Sequence, residues 1–476
     1  MSLLSWDRST LMPGGSADER AETMAELEVM AHEQLTAAIT GDLLDEAEAD
    51  EGATLGAWQA ANLREMRAAY DEATAMPVDL VAALTRATAK SELVWREARP
   101  ASDFAMQQPH LLEVVRLSRE AAGAKAERFG CSAYEAMLRG YERGLPLAQV
   151  QSVLDDLAEA VPPILEAALE RQARLPARRN PQRPLTVPQQ KALIEALMDR
   201  LGFDFSRGRL DESAHPFCGG TAQDIRITTR FDDAGFLSTL MAVLHETGHA
   251  LYESGRPQDW LSQPVSAARG MALHESQSLL IEMQACRSPS FVRYLSSVFQ
   301  SFDPDEPAYS AEALWRVYSH VERGLIRVDA DEITYPLHVV LRFRLEQALI
   351  AGDLEVADLP AAWREGMASL LGVAPGSDRE GVLQDIHWPL GLFGYFPCYT
   401  LGAIIAAQLF EAACQAYAEI PQTLERGDFT ALNGWLGANI HALGSKLSTS
   451  ELIERASGRP LSSAPFLAHL RTRYLA

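Results

Sequence analysis

The sequence is poor in cysteine and lacks paired-cysteine motifs. Its five cysteines are odd in number and no two of them form a CxxC pair, so neither a disulfide framework nor a thiolate zinc site is indicated. We therefore expect a reducing compartment and place the protein in the cytoplasm. The five are Cys131, Cys218, Cys286, Cys398 and Cys414.

Positive charge and long apolar runs are also scarce. Lysine and arginine number 42 against 65 acidic residues, giving a net charge of −23 that repels nucleic acid and anionic membrane surfaces at long range. The N-terminus has no apolar signal segment, and the stretch from Leu401 to Phe410 is too short to span a membrane. We expect a soluble protein with neither nucleic acid nor a membrane as its partner.

The chain has enough apolar material for a large helical core. Single cores stop growing beyond about 250–300 residues, and this chain has 476 residues with 47% hydrophobic content. We therefore predict a mainly α fold with two helical lobes around a deep cleft. Apolar residues at three- and four-residue spacing predict scaffold helices at Ala17 to Ile39, Leu55 to Ala75, Val78 to Arg99, Gln107 to Phe129, Leu147 to Leu175, Val187 to Leu201 and Ala311 to Gly324.

Two segments interrupt this helical pattern. The strict alternation from Asp224 to Arg230 predicts a strand in a small sheet beside the cleft. The Pro-rich stretch from Leu175 to Pro188 suggests a boundary between an N-terminal helical region, residues 1–180, and a catalytic region, residues 181–476. The alternative is one continuous domain.

The string His245-Glu-Thr-Gly-His249 lies inside an apolar run, residues 236–252, that predicts a largely buried helix. Four residues on a 3.6-residue turn bring both histidines onto one face, where they can bind a single zinc ion. Glu246 lies beside that ion, and its carboxylate can take a proton from a water whose pKa zinc lowers to about 7. The string predicts a zinc hydrolase, unless these residues fell at this spacing by accident.

A catalytic zinc needs a third protein ligand and an open position for water. Glu275 is the best candidate, because it follows within a few tens of residues in a second apolar-rich helical stretch, Gly270 to Glu282. Glu253 is disfavoured, since it lies one turn past His249 near the end of the same helix. Glu282 either accepts a hydrogen bond from a ligand imidazole or is a surface carboxylate.

Further strings along most of the chain resemble the carboxypeptidase Taq family, whose members are metallocarboxypeptidases that remove single residues from peptide C-termini. Besides the histidine string, the matching strings are Leu4-Ser-Trp-Asp7 with Met12-Pro13, His215-Pro-Phe217, Asp224-Ile-Arg-Ile-Thr228, His274-Glu-Ser-Gln277, Ile326-Arg-Val-Asp-Ala-Asp331, Gly381-Val-Leu-Gln-Asp-Ile-His-Trp388 and Gly394-Tyr-Phe-Pro-Cys-Tyr399.

This resemblance implies that His245, His249 and Glu275 hold the metal, which agrees with the spacing. It also implies a mostly helical fold related to neurolysin and angiotensin-converting enzyme, a homodimer, and broad specificity. One departure is visible at the N-terminus. The Trp6-Asp7 string begins almost at the first residue, whereas family members usually carry another helix ahead of it, so we expect an altered N-terminal contribution to the cleft.

Peptide hydrolysis also needs a donor to the developing oxyanion, usually a phenol or an imidazole opposite the zinc. Residues 381–399 are rich in glycine, proline and aromatics and lack helical periodicity at their centre, as expected of a loop lining a cleft. We predict Tyr395 and His387 as the donors, with Tyr399 in reserve. The alternative is that these side chains are packed aromatics.

An exopeptidase must bind the free α-carboxylate of its substrate, and a planar guanidinium suits that task. Arg327 is the favoured residue, with Arg342 and Arg344 as weaker candidates, and Gln384 is predicted to contact the substrate backbone. The alternative for Arg327 is an ion pair with an aspartate of its own segment.

The predicted strand has two interpretations. A strand along an active-site helix can pair with an extended substrate, which would give Asp224 and Arg226 a role in substrate binding. Alternatively, these residues stabilise a structural hairpin or the dimer.

Together these features predict a zinc metallocarboxypeptidase that acts on peptides, in which cobalt or manganese could replace zinc. In the predicted mechanism Glu246 deprotonates the attacking water and returns the proton to the leaving amine, while His387 and Tyr395 stabilise the oxyanion. Two other functions stay open at this point. One is an endo-acting oligopeptidase without a carboxylate clamp, and the other is a non-catalytic helical scaffold that retains a structural or vestigial zinc.

Overall fold

The computed structural model describes residues 2–49, 55–179, 181, 184–213, 216–231 and 235–476. His215, which belongs to one string of the resemblance, lies outside these residues. The described helices are α1 (Ser2–Thr10), α2 (Ala17–Thr36), α3 (Ala38–Ala49), α4 (Ala57–Thr74), α5 (Val78–Ala101), α6 (Phe104–Phe129), α7 (Ala133–Arg139), α8 (Leu147–Gln172), α9 (Val187–Leu201), α10 (Phe236–Ser254), α11 (Met271–Leu279), α12 (Pro289–Phe302), α13 (Ala311–Tyr318), α14 (Tyr335–Ala351), α15 (Leu359–Leu371), α16 (Pro397–Ala416), α17 (Ile420–Leu424), α18 (Thr430–Asn439), α19 (Thr449–Ser457) and α20 (Ala464–Leu475). The strands are β1 (Gly208–Glu212), β2 (Phe217–Thr221) and β3 (Asp224–Thr229).

The prediction of a mainly α fold with a small sheet is confirmed. Two predicted helices differ from the structure. The stretch predicted from Ala17 to Ile39 is divided into α2 and α3, because Ala37 takes an extended ψ of 140°. The helix predicted from Ala311 to Gly324 is shorter, because the chain turns away so that the backbone N–H of Val321 donates to Oε1 of Gln172 at 2.9 Å.

Helices on either side of the Pro-rich stretch share one hydrophobic core. Fully buried Leu154 and Leu157 of α8 belong to the same cluster as Leu349 of α14 and Leu470 of α20. Helix α8 packs directly on both of these later helices. The described helices before and after residue 180 thus pack on one another, and both the domain boundary at residue 180 and the two lobes around a cleft stay predictions.

The small sheet has the strand order β1–β3–β2, so β3 is its central strand. Strand β1 pairs with β3 in parallel and β2 pairs with it antiparallel. Since both edges of β3 are occupied, its backbone is not open to a substrate strand, and the prediction of strand addition at residues 224–230 is wrong. The sheet packs on α10 through β2 and β3, which places it beside the helix that carries the two histidines.

Helix α16 is the one helix in the described part of the chain whose length and composition would suit a membrane span. In the structure, 72% of the most apolar 18-residue stretch of this helix is buried. Its neighbours include α11, α14 and α20. Core packing therefore accounts for its apolar character.

Helix α11 lies between α10 and α16 at very short range. A Cβ atom at Gly248 of α10 would lie 2.6 Å from the carbonyl oxygen of Gln277, and one at Gly402 of α16 would lie 2.7 Å from Cγ of Glu275. Because real Cβ contacts of this length essentially never occur, glycine at both positions is what allows the three helices to approach. The two glycines therefore help to position Glu275.

We predict that Gly402→Ala displaces Glu275 and lowers both stability and metal affinity. Overpacking at a tight helix contact destabilises by about 1–3 kcal/mol, which denaturant unfolding would detect alongside a metal titration. Gly434→Ala is the matched control, because a Cβ at this exposed position in α18 meets nothing within 4 Å and should stabilise by up to about 1 kcal/mol. Equal metal affinity in Gly402→Ala and the wild type would contradict this account of the helix contact.

Candidate active site

Two helices bring three potential metal ligands together. Helix α10 carries His245 and His249 one turn apart, and α11 carries Glu275. Their ligand atoms all lie within 4.8 Å of one another. Nε2 of His245 is 3.9 Å from Oε1 of Glu275, and Nε2 of His249 is 3.6 Å from Oε2 of the same glutamate. Ligand atoms at about 2.0–2.1 Å from a tetrahedral zinc ion are about 3.3 Å apart, so small side-chain movements suffice to close this set on one ion.

Glu282 orients the first histidine. Its Oε2 lies 2.9 Å from Nδ1 of His245, and its Oε1 accepts a hydrogen bond from Nη2 of Arg287 at 2.5 Å. Glu282 belongs to the π-helical turn Leu280–Cys286 that continues α11, a type of turn often found at functional sites. When a metal takes the place of the proton on Nε2, this contact keeps the remaining proton on Nδ1, where it faces Glu282.

The surroundings of His245 stabilise a positive charge. Burial by itself lowers the pKa of His245, but the hydrogen bond to Glu282 and the charge of Glu275 outweigh burial and raise this pKa to about 9. Glu246 adds a further negative charge. A divalent cation supplies the positive charge that these acids favour, so the donor set and its electrostatics both fit a metal.

Glu253, the weaker candidate for the third ligand, is engaged elsewhere. Its Oε1 lies 3.0 Å from Nε2 of His274, and its Oε2 accepts a hydrogen bond from Nη1 of Arg256 at 2.7 Å. The ring of His274 stacks on that of His249, with centroids 4.5 Å apart. The Glu253–His274 pair therefore packs against the ring of His249 and helps to hold this second ligand in place.

Glu246 follows the first ligand directly and is largely enclosed. Burial raises the pKa of its carboxyl. The charge of His245 lowers this pKa, whereas the charge of Glu275 raises it further. A raised pKa makes the carboxylate a better proton acceptor, as a general base needs. The site thus combines a metal-binding set with a basic carboxylate.

Three aromatic side chains predicted from the glycine-rich segment lie together beside Glu275. The hydroxyl of Tyr399 is 3.2 Å from Nε2 of His387, and the ring of Tyr395 lies 5.2 Å from that of Tyr399. Burial lowers the pKa of His387 to about 4, so this imidazole is neutral at pH 7. Burial, together with the charge of Glu275, raises the pKa of Tyr395 to about 12, so its hydroxyl keeps the proton that it would donate.

Tyr335 is a site residue that the sequence reasoning missed. Its hydroxyl accepts a hydrogen bond from Nη1 of Arg327 at 2.7 Å and retains its own proton, because burial raises the pKa of Tyr335 to about 12. It begins α14, directly after the segment that contains Arg327. The available signal was its place in the string Thr334-Tyr-Pro336, eight residues after Arg327.

Arg327 pairs with an aspartate outside its own segment. Its Nε and Nη2 donate to Oδ1 of Asp385 at 3.0 and 2.8 Å. Together with the Tyr335 contact, these bonds use three of the five N–H groups of a guanidinium, so within the described part of the chain one N–H on each terminal nitrogen remains for a ligand. The expected alternative, an ion pair within the segment, is therefore not what the structure contains.

The prediction that Gln384 contacts substrate is wrong, because its hydrogen-bonding capacity is full. Its amide nitrogen donates to the carbonyl oxygens of Leu325 and Glu380, and its Oε1 accepts from the backbone N–H of Arg327 and from Nη2 of Arg342. Gln384 therefore holds the Arg327 segment in place.

The other predicted binding residues lie outside the metal centre. Arg344 pairs with Asp155 on a half-exposed surface. Arg226 forms a two-bond ion pair with Asp224, at 2.8 and 2.7 Å, and its guanidinium lies 4.7 Å from the ring of Trp6. Asp224 and Arg226 thus join β3 to α1, which is the structural alternative for this pair.

A cavity of about 340 Å³ adjoins the metal ligands. Its polar wall contains His245, Glu275, Arg327, Tyr335 and Tyr399. Five further polar residues line it, namely Glu282, Gln284, Arg287, Asp331 and Glu332. By area the wall is nevertheless mainly apolar, with Leu279, Met283, Val328, Pro336, Ala403 and Phe466 among its residues. Two of the three metal ligands, two tyrosine hydroxyls and a guanidinium with spare N–H groups line one cavity, and the basic carboxylate of Glu246 directly follows the first ligand in the chain. This combination defines a metal-dependent hydrolase.

Comparison with known proteins gives the family. The model of the carboxypeptidase Taq (M32) metallopeptidases matches residues 1–474. Thermostable carboxypeptidase 1 of Thermus thermophilus is 37% identical, over 100% of this chain and 95% of that protein. The solved structure of Trypanosoma cruzi metallocarboxypeptidase 1 superposes with a TM-score of 0.97 at 39% identity, over 100% and 96% of the two chains. The M32 carboxypeptidase of Deinococcus radiodurans R1 gives 0.94 at 36% identity, over 99% and 95%.

The chain therefore belongs to the carboxypeptidase Taq (M32) family and is a metallocarboxypeptidase that uses a divalent metal. The family predicted from the sequence is confirmed, and the endo-acting and scaffold alternatives are not favoured.

We predict that Glu246→Gln keeps the metal but lowers kcat by about 10²–10⁴-fold, because the variant loses the proton acceptor and none of the metal ligands. His249→Ala should lose both metal and activity. Metal content by plasma mass spectrometry and initial rates on one peptide would separate the two variants. Hydrolysis by Glu246→Gln at a near-wild-type rate would show that another group is the base.

Proposed function

We propose that the metal is zinc and that the enzyme removes single residues from the C-termini of peptides, with broad side-chain specificity. The observation that supports this most directly is the position of Arg327, which has spare N–H groups and lines the same cavity as His245 and Glu275. A guanidinium at that position can bind the terminal carboxylate while the last peptide bond lies at the metal. The mainly apolar wall suits many C-terminal side chains.

The identity of the ion rests on the donor set. Two imidazoles and one carboxylate, with one position left open, form the ligand set of catalytic zinc in other peptidases. Cobalt and manganese accept the same ligands, so we propose them as substitutes. When bound, the ion polarises the scissile carbonyl and acidifies a water molecule.

The protein groups then perform the proton transfers. Glu246 accepts a proton from the attacking water and delivers it to the leaving amine, which departs as a free amino acid. Tyr395 and Tyr399 donate hydrogen bonds to the carbonyl oxygen as its negative charge develops, and neutral His387 keeps the Tyr399 hydroxyl in place. Arg327 holds the carboxylate throughout, so that only the last peptide bond reaches Glu246.

We predict that a peptide with a free C-terminal carboxylate is cleaved at least tenfold faster, in kcat/KM, than the same peptide with a C-terminal amide. A charge-assisted bond to a carboxylate stabilises by about 1.5–3 kcal/mol, which corresponds to this ratio. Mass spectrometry over time should show residues leaving one at a time. Internal cleavage of both peptides at equal rates would contradict the proposal and indicate an endo-acting enzyme.

We also propose that the enzyme is a homodimer and acts in the cytoplasm. The first two long helices expose a group of apolar side chains that a second copy could cover. These are Leu27, Val29 and Met30 of α2 and Ile39 and Leu43 of α3. All five cysteines are unpaired thiols in the structure, which suits a reducing compartment.

We predict that Met30→Asp converts a dimer into a monomer, because a buried aspartate has no partner on an apolar face. Light scattering after size-exclusion chromatography at micromolar concentration measures the mass. Leu112→Asp, on the exposed face of α6, is the matched control and should remain dimeric. A monomeric wild type, or a Met30→Asp dimer, would count against this interface.

A further inference from the structure

Arg342 lies behind the proposed carboxylate site and is completely enclosed. Its side chain is 0% exposed and is not part of the cavity wall. Nε donates to Oδ2 of Asp385 at 2.7 Å, and Nη2 donates to Oε1 of Gln384 at 2.8 Å. The guanidinium lies 4.5 Å from the ring of Trp363. No substrate atom can reach it without displacing these contacts.

Asp385 is shared between two guanidinium groups. Its Oδ1 accepts from Arg327, and its Oδ2 accepts from Arg342. Two cations and one anion leave this buried cluster with a net charge of +1. A buried net charge is costly unless a counterion joins it, so the cluster is electrostatically incomplete on the side that faces the cavity.

The neighbouring titratable groups cancel this charge only in part. His387 and His338 are neutral at pH 7, since burial lowers their pKa values to about 4 and about 3. Glu346, one turn from Arg342 on α14, accepts hydrogen bonds from three other donors, and burial raises the pKa of its carboxyl to about 7, so that it is only partly ionised at pH 7. These donors are the Tyr134 hydroxyl, the Trp388 indole and the Gly394 backbone N–H.

We propose that Arg342 is a positioning residue that determines substrate specificity. By binding one of the two carboxylate oxygens of Asp385, it keeps the Arg327 site positively charged. The site therefore selects peptides with a C-terminal carboxylate. The inference rests on the proposed function, in which Arg327 binds that carboxylate. If Arg342 were neutral, Asp385 would cancel the charge of Arg327, and the site would favour a carboxylate over an amide much less. Arg342 thus acts on the substrate through Asp385 and Arg327.

The test separates charge from geometry with two substitutions at one position. Arg342→Gln keeps an N–H donor toward Asp385 at the position of Nε but removes the charge, whereas Arg342→Lys keeps the charge but loses the planar two-sided contact. For each purified holoenzyme, kcat and KM are measured on one peptide as the free acid and as the amide. Metal content and the unfolding midpoint show that each variant is folded.

We expect Arg342→Gln to raise KM for the free acid on the order of tenfold or more, with a smaller change in kcat, and to reduce the acid-to-amide ratio of kcat/KM by a similar factor. Arg342→Lys should keep most of that ratio. Equal losses in the two variants, or a loss in kcat with an unchanged ratio, would overturn the proposal, because a merely structural role predicts those results.

A charge-balanced double variant provides a second test that does not use Arg342→Gln. In Arg342→Met/Asp385→Asn both buried partners are neutralised together and the net charge of +1 is restored at Arg327. Relative to Arg342→Met, the double variant should regain acid preference by several-fold. An acid preference in the double variant that is no higher than in Arg342→Met would contradict the proposal.

The wild-type enzyme alone tests the proposed function, before any variant is made. If the wild type hydrolyses the acid and the amide equally, Arg327 is not a carboxylate site. If the wild type prefers the acid but Arg342→Gln retains that preference, the carboxylate site stands and the role assigned to Arg342 is wrong.

Discussion

The meeting of two imidazoles and one carboxylate at a single point is the constraint on which the rest of the site depends. It requires α10 and α11 to lie closer together than ordinary side chains permit, and α16 to press on α11 from the other side. Gly248 and Gly402 provide this closeness. The apolar character of α16, which by composition alone would suit a membrane, is used to bury the metal-ligand helix in the core.

Charge is divided within the site in a way that suits a peptide C-terminus. Acidic groups surround the metal position, where Glu275 and Glu282 favour a cation beside His245. Beside the same cavity, Arg327 and Arg342 share the single carboxylate of Asp385. A bound peptide would place its scissile carbonyl at the metal position and its terminal carboxylate at Arg327. The spacing between these two regions would then decide which peptide bond is hydrolysed.

The sequence was sufficient to predict groups whose chemistry depends on local spacing. The histidine string sets a helical face, so His245, His249 and the neighbouring base follow from the 3.6-residue period. Strand β3 was predicted from its alternation within one residue of its observed end. The third ligand needed the extra argument that a catalytic zinc takes one more protein group.

Contacts between distant segments could not be predicted in the same way. Gln384 and Asp385 are adjacent polar residues, and only the fold shows that Gln384 is saturated while Asp385 joins two arginines. Period-2 alternation identifies a strand but not its place in the sheet, so the central position of β3 was not foreseen. The π-helical turn that brings Glu282 to His245 has no local signature of comparable strength.

The most direct test of the central claim is X-ray absorption spectroscopy of the metal-loaded enzyme at the zinc edge. The account predicts a four-coordinate ion with two imidazoles and oxygen ligands at about 2.0–2.2 Å. Two neighbours make the test discriminating. His274 stacks on His249, and the thiol of Cys218, whose pKa is raised by burial and by the charge of Glu246, lies near the same site. A third imidazole, or a sulfur ligand at about 2.3 Å, would contradict the assignment of His245, His249 and Glu275.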